Sequence, residues 1–161
     1  MLSAWLDYTG NVTTGDRTWK FNERMGYNFT YFHFAVNLPV NAFPPYDYVG
    51  MSATNAHVFL SVYPTNLDNI TDANINDIAQ QAQALNALGR NVIMRLGPDC
   101  NGAWYPYGQS PTPYIALFRR ISTIVRNATN ATAIMWAPSV CIRCQVYSTR
   151  CSLHSVFMIL C

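Results

Sequence analysis

Five short runs of this chain, at positions 4–7, 27–36, 57–63, 91–96 and 132–136, are mostly apolar on both faces, and stretches with helical periodicity lie between them. A strand that is apolar on both sides has to be covered on both sides, as in a parallel sheet clothed by helices. Two of the intervening stretches read as helices. In the first, Thr71 or Asp72 can cap, then Ile75, Ile78, Ala79, Ala82, Leu85 and Leu88 keep one face apolar, and Gly89 supplies the stop. In the second, Thr112 caps and Pro113 takes the first helical position, where its missing N–H leaves no donor unpaired. Tyr114, Leu117, Phe118, Ile121, Ile124 and Val125 form its buried stripe, and Arg119, Arg120 and Arg126 lie toward its carboxyl end. Less regular helical patterns occur at 17–25 and 49–55. Regular alternation of strand and helix predicts an α/β architecture with right-handed crossovers.

Size and composition narrow this further. Half of the 161 residues are hydrophobic and 11% are charged, the profile of a folded chain. An eightfold β/α barrel needs roughly 250 residues. Five strands within positions 1–139 correspond to about the first five β/α units of an incomplete (β/α)8 TIM barrel. An open doubly wound sheet fits the length better, but no GxGxxG or GxxxxGK[ST] follows any strand, so nucleotide chemistry has little support. The formal charge of +2 comes from Arg143 and Arg150, since positions 1–139 hold eight basic and eight acidic side chains. Without a basic face, nucleic acid is not an expected partner. No run approaches the ~18 apolar residues of a membrane helix.

Five Asn-x-Ser/Thr sequons, at Asn11, Asn28, Asn69, Asn127 and Asn130, predict polar surface loops that can carry glycans. They point to an extracellular, secreted protein, although Met1-Leu2-Ser3-Ala4-Trp5 does not read as a signal peptide. Positions 140–161 are a different material, with Cys141, Cys144, Cys151 and Cys161 in an irregular tail. Cys141 and Cys144 have the spacing of a metal knuckle, but pairing them with Cys151 and His154 or Cys161 fits no common zinc module. The tail is therefore expected to lie outside the domain at 1–139 and to hold no metal, as read-through, frameshifted or splice-variant sequence and not evolved structure; a metal site and secretory disulfides are the alternatives.

The chemistry concentrates in segment 91–108, NVIMRLGPDCNGAWYPYG. An apolar strand (Val92, Ile93, Met94, Leu96) stops at Gly97-Pro98 and delivers Asp99, followed by Asn101, Trp104, Tyr105 and Tyr107. Gly-Pro-Asp is also ordinary turn chemistry, and Asn101 could be a turn former. Trp104 and Tyr107 could be core aromatics or a platform on which sugar rings stack. Arg95, inside a strand, needs a partner such as Asp99 or another carboxylate. Trp136 closes the fifth strand and reads either as core or as a sugar contact. His33 and His57 lie in apolar runs and read as satisfied core residues, and Cys100 as buried packing.

These residues carry a resemblance. Arg95-Leu-Gly-Pro-Asp99-Cys-Asn101-Gly102-Ala-Trp104-Tyr105-Pro-Tyr107-Gly108 resembles the strand-4 motif of glycoside hydrolase family 26, roughly R-x-x-H-E-M-N-G-x-W-x-x-W-G. Ala4-Trp5-Leu6-Asp7, Lys20-Phe21-Asn22-Glu23-Arg24, Val62-Tyr63-Pro64-Thr65 and Trp136-Ala137-Pro138-Ser139 are similar to its first strand, first helix, third strand end and fifth strand end. The resemblance spans about 3–139. It implies hydrolysis of a β-1,4-linked polysaccharide, mannan first among the candidates, by a monomeric barrel without a cofactor. Asp99 would take the acid/base position, and Asn101, Trp104, Tyr107, Asp7, Arg95 and Trp136 would contact substrate. The sequence departs from that pattern in having Asp99 where the family has Glu and Pro98 where a His precedes the acid. The family's nucleophile is a Glu on the seventh strand, and retaining hydrolysis needs a second carboxylate ~5–5.5 Å from the first. Glu23, the one Glu of this sequence, sits in the first helix region and is no substitute. This form is therefore expected to be weak or inactive, and the alternative is a non-catalytic carbohydrate-binding fragment.

Overall fold

The computed structural model describes residues 3–5, 17–39 and 53–139. Their strands are β1 (Ser3–Trp5), β2 (Tyr31–Leu38), β3 (His57–Pro64), β4 (Val92–Leu96) and β5 (Thr132–Trp136), and they form one sheet in that order. Every pairing is parallel. The helices are α1 (Thr18–Met25), α2 (Asp72–Ala87) and α3 (Pro111–Ala128). Alternation of strand and helix thus yields the expected α/β architecture. Leu6, Asp7, Asn11, the 49–52 part of the fourth helical pattern and the tail with Cys141, Cys144, Cys151, His154 and Cys161 lie outside the described residues.

Local chemistry explains where the elements begin and end. At α2, Thr71 accepts from the Asn74 backbone N–H, and the Asn74 side chain accepts from the Thr71 N–H, so a reciprocal capping box starts the helix. At α3, the start falls two residues earlier than expected: Ser110 holds the cap position and Pro111 follows. Ser110 makes no side-chain cap bond. Instead Pro111 at the first position and Pro113 two residues later remove two donors that would otherwise need partners. Strand β2 begins at Tyr31 and not at Tyr27, because α1 ends in a left-handed cap at Gly26 (φ 64°) and the next residues complete the turn. The Asn22 side chain accepts from the Phe29 N–H and fixes that turn. Residues 53–55 form a turn and a bend, not the helix expected there.

The register assigns the two faces of the sheet. Val36, Val62, Leu96 and Trp136 form one row across β2–β5, and Phe34, Leu60, Met94 and Ile134 the next row on the same side. Most of these pack with Ile75, Ile78, Ala82 and Leu85 of α2 and Leu117, Phe118, Ile121 and Val125 of α3 in one core. Each Leu, Ile, Val, Phe or Met among them, fully buried, contributes roughly 1.5–3 kcal/mol of transfer free energy. The opposite face differs from the apolar reading. It presents His33, Phe59, Ser61, Arg95 and Met135, a mixed polar layer in which Ser61 is fully buried.

Joints at the amino ends of the strands are tied by side chains. The Asn86 amide donates to the carbonyls of Arg90 and Ala131, while its oxygen accepts from the Ala131 N–H and the Thr132 hydroxyl. Arg90 donates to the Ala56 carbonyl, and His57 Nδ1 accepts from the Asn91 N–H. Between the helices, Arg120 reaches Asp72 at 2.9 Å and also donates to the Ile70 carbonyl. This arginine therefore serves the start of α2 and not the dipole of its own helix.

Candidate active site

In a parallel sheet every strand-to-helix connection leaves the carboxyl edge, so the loop after β4 stands at one end of the molecule. The sequence bends it sharply. Gly97 has φ 54°, and a Cβ there would come within 2.6 Å of the Tyr114 ring, so a side chain is excluded both by conformation and by space. Asp99 follows with φ 58°, a left-handed conformation that Asp tolerates better than most residues. Its N–H donates to the Ala137 carbonyl at 2.8 Å, and its own carbonyl accepts from Gly102 at 2.8 Å. The first bond extends the β4–β5 ladder beyond the strands; the second closes the turn.

Two buried phenols hold the bend from beneath. Tyr114 donates to the Leu96 carbonyl at 2.9 Å, and Tyr107 donates to the Pro98 carbonyl at 2.8 Å. Their rings belong to a ladder that runs from the third strand into α3. Tyr63 and Tyr105 lie 5.4 Å apart, Tyr105 and Tyr107 are stacked at 5.1 Å, and Tyr107 and Tyr114 stand at 6.2 Å. Burial, joined by the charges of its neighbours, raises the Tyr107 phenol far above its ordinary range and also raises that of Tyr105. Both remain neutral donors across the working range of any enzyme at neutral pH. Tyr63 and Tyr105 were not among the expected substrate contacts, although both sit in the quoted motifs. Tyr105 is half-buried, bonded to the Tyr63 hydroxyl and within electrostatic reach of Asp99.

The expected site residues separate into those the loop presents and those it uses. Asp99 is presented, half-buried at the tip of the turn. Trp104 is presented as well: it is 62% exposed, and its indole lies across Gly102, where a Cβ would meet the ring at 2.4 Å. Gly102 is therefore the seat of that ring. Tyr107 is fully buried with its hydroxyl committed, so it has no face for a sugar. Asn101 clamps the loop to the segment after β5, donating to the Ser139 carbonyl at 2.8 Å and accepting from its N–H at 2.7 Å. Trp136 is 37% exposed, but its register with Leu96 puts it on the helix-covered face. Asp7 lies outside the described residues.

Arg95 sits on the opposite face, one step down β4. Its Nε donates to Ser61 Oγ at 3.0 Å, and its guanidinium lies over the Phe59 ring at 5.7 Å. Among the described residues its partners are thus a hydroxyl and a ring, where a carboxylate was expected. Ser61 also meets His33 Nε2 at 2.7 Å. Ser61 accepts from Arg95, and with one proton and two lone pairs it either donates to or accepts from His33 Nε2, according to which neutral tautomer the imidazole takes. Burial and the Arg95 charge both lower the His33 pKa, in keeping with that neutral form. His33, His57 and Cys100 are all accounted for within the fold, the last fully buried as a free thiol.

The class defined by these observations is an α/β protein whose parallel sheet delivers an acid and an exposed indole together at its carboxyl edge. The model of glycosyl hydrolase family 26 matches residues 17–145, and the chain belongs to that family. Its class of chemistry is accordingly glycosidic-bond hydrolysis, and its class of substrate is carbohydrate. Compared with curated proteins, the chain matches none. No helix among the described residues is long and apolar enough to cross a membrane.

Proposed function

We propose that this chain carries the acid/base half of a secreted β-1,4-glycanase site, with mannan as the preferred polymer, on the first five units of an eightfold β/α barrel. Asp99 takes the acid/base position: it would protonate the leaving glycosidic oxygen and later take a proton from water. Trp104 provides the face on which a pyranose ring stacks. Asn101 and Tyr107 act by positioning, through Ser139 and Pro98 respectively. Arg95 would address substrate from the interior face of the sheet, and Asp7 would be a further substrate contact. Trp136, on the helix-covered face, is left out of the substrate contacts.

The observation that carries this reading is the pairing of Asp99 with an indole seated on Gly102 in one latched loop at the carboxyl edge. Two further features bear on turnover. Asp is one methylene shorter than Glu. The interior face of the described strands holds His33, Ser61, Arg95 and neutral neighbours but no carboxylate to act as nucleophile. The 161-residue chain therefore binds β-1,4-linked oligosaccharides and turns them over weakly or not at all.

The described sequons fit an extracellular monomer. Asn28, Asn69, Asn127 and Asn130 are all exposed. Asn28, Asn127 and Asn130 lie near helix-to-strand connections, at the end of the sheet away from Asp99, so glycans there would leave the site open. The test is a reducing-sugar assay on mannan, glucan and xylan beside calorimetric titration with the corresponding oligosaccharides. Binding lost on Trp104→Ala, with little or no turnover, is the expected result. Turnover at an ordinary glycanase rate that Asp99→Asn abolishes would replace this reading with that of a competent enzyme. Absence of binding and of turnover alike would end both.

A further inference from the structure

A second feature at the opposite end of the sheet is not used by the site at Asp99. Between α1, the turn that follows it and residues 53–56 lies an open cavity of about 670 Å³, within the size range of small-molecule sites. It is lined by two aromatic rings, Trp19 and Tyr27, and by the polar side chains of Asn22, Glu23 and Asn28. The rings are 36% and 49% exposed, unusual for large aromatics that have a core within reach. They are also held in place. Tyr27 packs edge-on against Phe29 at 5.6 Å, Phe29 in turn meets Phe21 at 5.2 Å, and the Lys20 ammonium stands 5.5 Å from the Trp19 ring. The buried Asn22 is fixed by its bond to the Phe29 N–H. Glu23 is exposed on α1 and can accept hydrogen bonds from hydroxyls.

We propose that this cavity binds a pyranose. A sugar ring has an apolar C–H face and a rim of hydroxyls, so it needs aromatic surface beside acceptors and donors, and few other ligand classes need both without a balancing charge. A purely apolar ligand would displace water from Glu23 and Asn28 without replacing its hydrogen bonds, whereas sugar hydroxyls replace them. The pyranose has two possible sources with the same chemistry. One is a free oligosaccharide, which would make this a second site on the carbohydrate substrate class of the proposed function. The other is the first sugars of a glycan on Asn28, a sequon residue that itself lines the cavity.

Titrations of the full chain made in a host that does not glycosylate it separate these sources. The probes are β-1,4-mannohexaose and chitobiose, the latter having the structure of the first two sugars of an N-glycan. The readouts are heat and tryptophan fluorescence. Binding that survives Trp104→Ala but weakens about ten-fold or more on Trp19→Ala, and measurably on Glu23→Gln, supports the site. An unchanged urea midpoint for Glu23→Gln excludes unfolding as the cause. Mannohexaose binding assigns the site to free oligosaccharide; binding of chitobiose alone assigns it to the protein's own glycan. Binding that is lost on Trp104→Ala and untouched by Trp19→Ala overturns the second site and leaves the proposed function standing. No binding of either probe in the Trp104→Ala chain overturns it as well.

Discussion

The two ends of the sheet are built from the same device used to different effect. At the amino end, Asn86 and Arg90 bond to backbone carbonyls and tie the end of α2 and its link to β4 to the starts of β3 and β5. At the carboxyl end, Tyr107, Tyr114 and Asn101 likewise bond to backbone, but the loop they close pushes Asp99 and Trp104 outward. Side-chain-to-backbone bonding thus gives rigidity at both ends, and at one end it also gives presentation. The difference arises from two glycines. Gly97 lets the chain reverse over Tyr114, and Gly102 lets an indole lie flat on the backbone.

The comparison can be broken most directly at Tyr107. Its removal as Tyr107→Ala takes out a fully buried ring and leaves the Pro98 carbonyl without its donor. The expected loss is about 3–5 kcal/mol in urea denaturation, together with loss of saccharide binding. At the amino end, Asn86→Ala removes four hydrogen bonds and should lower stability by about 2–3 kcal/mol while leaving oligosaccharide affinity unchanged in the folded fraction. If that variant weakened binding as strongly as Tyr107→Ala, the two ends would not be separable and the distinction would fail.

Asn101→Ala should cost about 1–2 kcal/mol, since the half-buried Ser139 N–H and carbonyl lose one partner each. Affinity should fall with it, because among the described residues the loop then keeps the Asp99 N–H to Ala137 carbonyl bond as its tie to the segment after β5. Trp104→Ala should change stability by less than about 0.5 kcal/mol, as an exposed residue, yet abolish calorimetric heats at this end. A large drop in its urea midpoint would mean that the indole is structural.

The smallest expected effect is one of pH. Burial and Arg95 hold the His33 pKa below its ordinary value of 6.5, so the folded state favours the neutral ring. That contribution is present above about pH 6.5 and is lost as pH falls through the lowered folded value. Thermal denaturation between pH 7 and pH 4 should show this decline, and His33→Gln should flatten it. Tyr107 and Tyr105 act in the opposite direction. Their raised values give stability that is present below about pH 10 and declines above it.

Much of this architecture is legible in the order of residues, for identifiable reasons. The apolar spacing of Ile75, Ile78, Ala82 and Leu85 places α2, and the apolar run from Val92 to Leu96 places β4, because periodicity reports which side of an element loses contact with water. The Arg95–Gly108 motif likewise gives the family. The fates of Asn101, Tyr107 and Trp136 are not legible in that way. All three are polar or aromatic residues suited to a sugar, and sequence cannot say whether such a group faces solvent or backbone. Tertiary structure decided it: parallel pairing brings Ser139 alongside Asn101, the bend at Gly97 brings the Pro98 carbonyl over Tyr107, and the pleat turns Trp136 to the helix side. The sequence by itself determined the elements and the chemistry available. Only the packed sheet decided which of those groups remain free, since a hydrogen-bonding group is spent on whichever partner the fold brings within about 3 Å.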